Sequence, residues 1–155
     1  MRVLSIISLM IIVQIFIACN KDDIDEIKPI IDLSHPGSFP VSCDTLKKGK
    51  EFEFRVRFTD NIELGSYNID IHHNFDQHSH STSVESCIFD QKKTAVKPWT
   101  FIRSYEIPTG NKEYIAIGKI LVPDNIDPGD YHFLYKVTDK SGWQSIYGLS
   151  VKILE

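Results

Sequence analysis

The chain has 155 residues, a formal charge of −4 and 42% hydrophobic residues. That is enough chain for one domain with a real core. The mild acidity, with no basic patch interleaved with aromatics, excludes nucleic acid as a partner class.

Residues 1–18 read as a leader outside the fold. Met1-Arg2 gives a short positive start, and Val3 to Ala18 is apolar apart from Ser5, Ser8 and Gln14. The segment is too short and wrongly flanked for a membrane span and has the pattern of a secretory signal. Its end, Phe16-Ile17-Ala18-Cys19, resembles a bacterial lipobox, departing from it at Phe16, where Leu is usual. The resemblance implies that Cys19 is acylated and becomes the mature N-terminus; the alternative is an ordinary signal peptide with an incidental Cys. The following Asn20-Lys21-Asp22-Asp23 resembles the surface-export signal of Bacteroidota lipoproteins. That implies display outside the outer membrane, with acyl chains as the anchor. Read without the resemblance, residues 19–28 are a charged, flexible tether.

Residues 29–155 form the predicted domain. Helix signals are nearly absent and strand signals are strong. A short strand is expected at 29–33. Residues 51–58, EFEFRVRF, alternate throughout, with Phe52, Phe54, Val56 and Phe58 on one face. This is the pattern of a half-buried antiparallel strand. After the turn signal Thr59-Asp60-Asn61, residues 66–72 alternate again, with Tyr67, Ile69 and Ile71 inward and Asn68, Asp70 and His72 outward. Further strands are expected at 113–122, at 130–138 (Tyr131, Phe133, Tyr135 and Val137 inward, His132 outward) and at 146–154 (Tyr147, Leu149, Val151 and Ile153 inward). Turn residues punctuate them. Such spacing predicts an all-β fold, an immunoglobulin-like antiparallel β-sandwich. Pro128-Gly129-Asp130-Tyr131 resembles a tyrosine corner. Residues 73–112 are expected to be an irregular, long insertion after the third strand, a kind of segment that is often functional.

With Cys19 set aside, Cys43 and Cys87 remain. In an exported chain an isolated pair reads as a disulfide, and two thiolate ligands of a metal is the alternative.

The insertion opens on IHHNFDQHSH, which holds four of the six histidines. In an immunoglobulin-like sandwich strands C and F, here 66–72 and 130–138, are neighbours, so His72 and His132 are expected side by side on the outer face. His78 and His80, two apart, project to one side of an extended segment. A turn-prone Asn74-Phe75-Asp76-Gln77 folds them back toward His72. His72, His78, His80 and His132, with Asp76, make a nitrogen-rich set suited to a Zn²⁺ or Cu²⁺ ion. His73 has the wrong parity and His35 reads as surface. The plain alternative is a polar His-rich loop.

The combination of the lipobox, Thr59-Asp60-Asn61-Ile62-Glu63-Leu64, the His-rich segment, Gly129-Asp130-Tyr131-His132-Phe133 and Asp139-Lys140-Ser141-Gly142-Trp143-Gln144 resembles a family of uncharacterised Bacteroidota surface lipoproteins with a single immunoglobulin-like domain. The family has no settled activity, so the resemblance implies fold and location and places the four histidines in a family pattern. Asp76 or Glu85 could serve as a general base, but no H-E-x-x-H helix, comparable signature or phosphate loop occurs, so the chain reads as non-enzymatic. The leading expectation is a surface lipoprotein that captures, buffers or transfers a metal ion, beside an outer-membrane transporter. The second is an adhesion module for glycan or protein, using Phe75, Phe89, Trp99, Phe101 and Tyr105, in which a metal is only structural.

Overall fold

A computed structural model describes residues 24–79 and 87–155; Cys19, His80 and Glu85 fall outside them. The described chain forms β1 (Ile30–Asp32), β2 (Thr45–Lys47), β3 (Glu51–Thr59), β4 (Leu64–His73), β5 (Thr100–Glu106), β6 (Glu113–Leu121), β7 (Gly129–Asp139) and β8 (Gln144–Leu154). They make two sheets, β1-β3-β6 and β2-β8-β7-β4-β5, which face each other as an all-β sandwich. Every pairing is antiparallel except β2 on β8, which is parallel. The antiparallel expectation thus fails at one short edge strand.

The alternating residues meet in the middle. Phe54, Val56 and Phe58 of β3 oppose Tyr67, Ile69 and Ile71 of β4 and Phe133, Tyr135 and Val137 of β7, all buried. Leu149, Val151 and Ile153 of β8 complete the layer. Each such side chain contributes about 1.5–3 kcal/mol by leaving water. Tyr67 stacks on Tyr105 of β5 with ring centroids 4.8 Å apart. Across β3–β6, Phe54 lies opposite Gly118, where a β-carbon would come within 2.6 Å of the Phe54 ring. A large aromatic on one strand therefore requires the smallest residue on the next.

The segment 73–112 is not irregular throughout. It contains β5, which pairs with β4 from Ser66↔Glu106 to His72↔Thr100. The rest is tied to the start of β7. Asp130 accepts the Asp90 N–H at 2.7 Å, and Asp127 accepts those of Val96 and Lys97, both at 2.7 Å. These two donors hold the Asp127 carboxyl below the usual carboxylate range, Lys97 first. Tyr131 is the expected corner: its hydroxyl donates to Asp127 O at 2.7 Å and accepts the Trp99 N–H at 3.3 Å. At the N-terminal side, the expected tether is fastened at Asp25, which is buried and whose carbonyl accepts the Trp143 indole N–H at 2.7 Å.

Cys43 and Cys87 form a disulfide, 44 residues apart in sequence. Cys43 N donates to Ser150 O at 2.7 Å, so the bridge pins residue 87 against β8. Closing a loop of that length constrains the unfolded chain by about 4 kcal/mol. Replacing both cysteines by Ser is expected to lower unfolding stability by about 3–4 kcal/mol, read from urea midpoints with and without reductant.

Candidate metal centre

The register of β4 on β7 sets His72 directly opposite His132. The same row continues outward to Thr100 on β5 and inward to Ser150 on β8. By strand parity all four side chains lie on the outer face of the larger sheet. The ring centroids of His72 and His132 are 5.4 Å apart. The chain then leaves β4, turns at Asn74-Phe75-Asp76-Gln77, and brings His78 back over the row. Asn74 N donates to Asp130 O and Gln77 N to Asn74 O, and Gln77 takes a positive φ of 56° at the bend. His78 lies 4.8 Å from His132 and 5.7 Å from His72, centroid to centroid. Imidazoles bound to one tetrahedral ion at ordinary metal–nitrogen distances have centroids about 5 Å apart. Among the described residues, then, His72, His78 and His132 converge at that scale. His80 lies outside the described residues.

Parity alone would leave His132 exposed on the outer face, yet it is only 3% accessible. The 74–79 turn covers it, and His132 Nε2 faces His78 O at 3.1 Å. A carbonyl only accepts, so Nε2 of His132 carries the proton and its lone pair sits on Nδ1. His72 and His78 have the opposite arrangement. Asp70 Oδ1 lies 2.9 Å from His72 Nδ1, and Asp76 Oδ1 lies 2.6 Å from His78 Nδ1. A carboxylate at Nδ1 fixes the proton there and puts the lone pair on Nε2. Asp70 reaches His72 because residues two apart on a strand share a face. Asp76, expected among the ligands, has a side chain that is 67% exposed and bonded to His78 Nδ1. The His78 ring holds the Asp76 carboxyl below the usual carboxylate range. The carboxylate grip on His78 is therefore complete above the ordinary Asp range and lost only as pH falls through the lowered value.

His73 points the other way, against Phe75 at 4.9 Å. The aromatic candidates of the insertion divide: Phe75 and Trp99 are buried in the core, while Phe101 and Tyr105 pack at its edge. A cleft beside the disulfide is lined by Ile88, Phe89, Asp130 and Lys152. A second group was read in the sequence only as turn and tether residues. Asp25, Asp60 and Asp139 each offer a carboxylate oxygen within 4.8 Å of the other two. They lie at the opposite end of the sandwich from the histidines, since Leu64 at the start of β4 pairs with Asp139 at the end of β7.

These features define an all-β sandwich domain that carries a row of imidazoles under a disulfide-anchored loop. The chain belongs to the DUF4625 family, a domain of unknown function, whose profile matches residues 17–154. Among solved structures it is similar to Spo0M, a sporulation control protein from Bacillus subtilis, with 11% identity, 83% of this chain and 49% of that chain covered, and a TM-score of 0.41. This chain thus spans about half of that one. Comparison with the curated proteins finds no match.

Long-range proton–nitrogen NMR spectra at neutral pH are expected to show His72 and His78 protonated at Nδ1 and His132 at Nε2. Asp76→Asn is expected to disturb the His78 tautomer alone. A Nδ1-protonated His132 would contradict the hydrogen bonding described here.

Proposed function

We propose that this protein is a surface lipoprotein that binds a transition metal ion, Zn²⁺ or Cu²⁺, through the His cluster, and captures, buffers or hands over that ion, for instance to an outer-membrane transporter. One observation carries the reading: three imidazoles from two strands and a loop converge at 4.8–5.7 Å, and two of them have Nδ1 held by a carboxylate. Carboxylate–histidine pairs of this kind orient metal-binding imidazoles and raise their basicity. Nitrogen ligands suit Zn²⁺ and Cu²⁺ over Ca²⁺ or Mg²⁺. His72, His78 and His132 would hold the ion, with His80 from the adjoining segment as a fourth ligand. Asp70 and Asp76 would orient the rings. Thiolate ligation is out of reach, because Cys43 and Cys87 are bonded to each other. We read the role as binding rather than catalysis, since among the described residues the carboxylates nearest the rings, Asp70 and Asp76, are each bonded to one of them.

The test is isothermal titration of the full chain, solubilised in detergent, with Zn²⁺ and with Cu²⁺. Saturable binding at neutral pH is expected, weakening in acid because ligation needs neutral imidazole. Loss of binding is expected in His72→Ala/His78→Ala. Asp76→Asn should keep the fold and lower affinity about 10-fold to 100-fold. Absence of heat with either ion sinks the reading. An adhesion role is favoured instead if metal removal changes only melting temperature while a ligand still occupies the cleft at Ile88 and Phe89.

The location rests on the leader and on Cys19, whose surroundings resemble a lipobox and an export signal of Bacteroidota lipoproteins. Acylation there anchors a protein to a membrane without a spanning helix. Labelled palmitate supplied to cells expressing the chain should enter the wild type and not Cys19→Ala, and external protease should reach the domain in intact cells. Equal labelling of both forms rejects the anchor.

A further inference from the structure

The acidic group at the other end of the sandwich carries a separate inference. Asp25 precedes β1, Asp60 sits in the β3–β4 turn, and Asp139 ends β7. Asp25 is 8% exposed and Asp139 4%. One oxygen of each carboxylate is committed. Asp25 Oδ1 accepts from Ile27 N at 3.1 Å and Asn61 Nδ2 at 3.0 Å. Asp60 Oδ2 accepts from Ile62 N at 2.8 Å and Glu63 N at 2.7 Å. Asp139 Oδ1 accepts from Trp143 N at 2.8 Å. The second oxygen of each, Asp25 Oδ2, Asp60 Oδ1 and Asp139 Oδ2, is buried and accepts no hydrogen bond.

No salt bridge among the described residues involves these three carboxylates. The nearby ammonium of Lys112 is spent on Asn61 O at 2.8 Å. Donors from Asn61 and then Ile27, with the Ser141 hydroxyl the weakest, hold the Asp25 carboxyl below the usual carboxylate range despite its burial. Three carboxylates that share a space, each with a buried oxygen lacking a donor, repel one another and demand a counter-charge. Two oxygens bound to one ion at about 2.4 Å can be at most about 4.8 Å apart. The three residues satisfy that limit pairwise. All-oxygen ligands select hard cations, and Ca²⁺ tolerates an irregular set completed by carbonyls and water where Mg²⁺ demands an octahedron.

We propose that Asp25, Asp60 and Asp139 form a Ca²⁺ site that fastens the N-terminal segment to the β3–β4 and β7–β8 turns. The site is independent of the imidazoles in position and in ligand chemistry. The ion would add a charged tie where the Ile30↔Thr59 and Leu64↔Asp139 pairings end, and residues 24–29 would be held by it together with Asn61, Trp143 and Ser145.

Trp143 supplies the probe, since its indole nitrogen is 2.7 Å from Asp25 O and its backbone N–H bonds Asp139. Tb³⁺ added to chelator-treated full chain should luminesce on tryptophan excitation, and Ca²⁺ should quench this by displacement. The emission should fall in Trp143→Phe and persist in His72→Ala/His78→Ala, which separates this site from the imidazoles. Asp60→Asn and Asp139→Asn retain the backbone hydrogen bonds and should weaken Ca²⁺ about tenfold or more. The wild-type melting temperature should rise with free Ca²⁺. In chelator, Asp60→Asn should melt no lower than wild type, because one like charge is gone. The proposal is overturned by a wild-type melt that ignores Ca²⁺ up to about 10 mM, or by Tb³⁺ emission that is absent or insensitive to both Asn variants.

Discussion

The pairing register of β4 with β7 is the constraint from which the rest follows. It sets Ile69 against Tyr135 and Ile71 against Phe133, all fully buried, and one step further along sets His72 against His132. Side chains alternate with period two, so a slip of β4 by one residue would turn His72 into the core and Ile69 and Ile71 into water. Burial of those groups, worth several kcal/mol together, forbids it. The proximity of the two histidines is thus enforced by the hydrophobic layer on the other side of the sheet and needs no attraction between the rings.

A second layer of constraint acts on the loop. His132 is covered, and a covered imidazole needs a polar partner, which the loop supplies through His78 O. The loop in turn is held from below by Asp130, whose carbonyl takes Asn74 N and whose carboxylate takes Asp90 N. Lys152 reaches both Asp90 and Asp130, at 2.8 and 3.5 Å. The disulfide fixes residue 87 beside Ser150, the residue next to His132 across β7–β8. Loop, corner tyrosine and disulfide all converge on the first residues of β7, which is why a segment with little regular structure still delivers His78 to a defined place.

How much of this the sequence discloses depends on the physical signal each part carries. Strands β3, β4, β7 and β8 are legible because runs of their alternate, inward positions are apolar. β5 was hidden because Ile102 breaks the pattern by standing exposed at 65%, on an edge strand with one neighbour. β2 is three residues long and reads as loop. The His72–His132 pair is legible from parity and strand order alone. The burial of His132 is not, since alternation knows nothing of a loop laid over the sheet. Asp60 and Asp139 read correctly as turn formers. Their meeting with Asp25 depends on two turns and the N-terminal segment sharing one end of the sandwich, which no local pattern records.

The fastening of Asp25 by Trp143 has a geometric consequence on the lipid-anchored reading. From Cys19 to Asp25 is six residues, at most about 20 Å of extended chain. The end of the sandwich that carries the acidic turns would then stand next to the bilayer. His132 lies seven residues from Asp139 along β7, about 23 Å away along the strand, so the imidazoles would sit at the far end. On that reading the body would stand upright, with its carboxylate foot toward the lipid headgroups and its imidazole tip toward the surrounding medium.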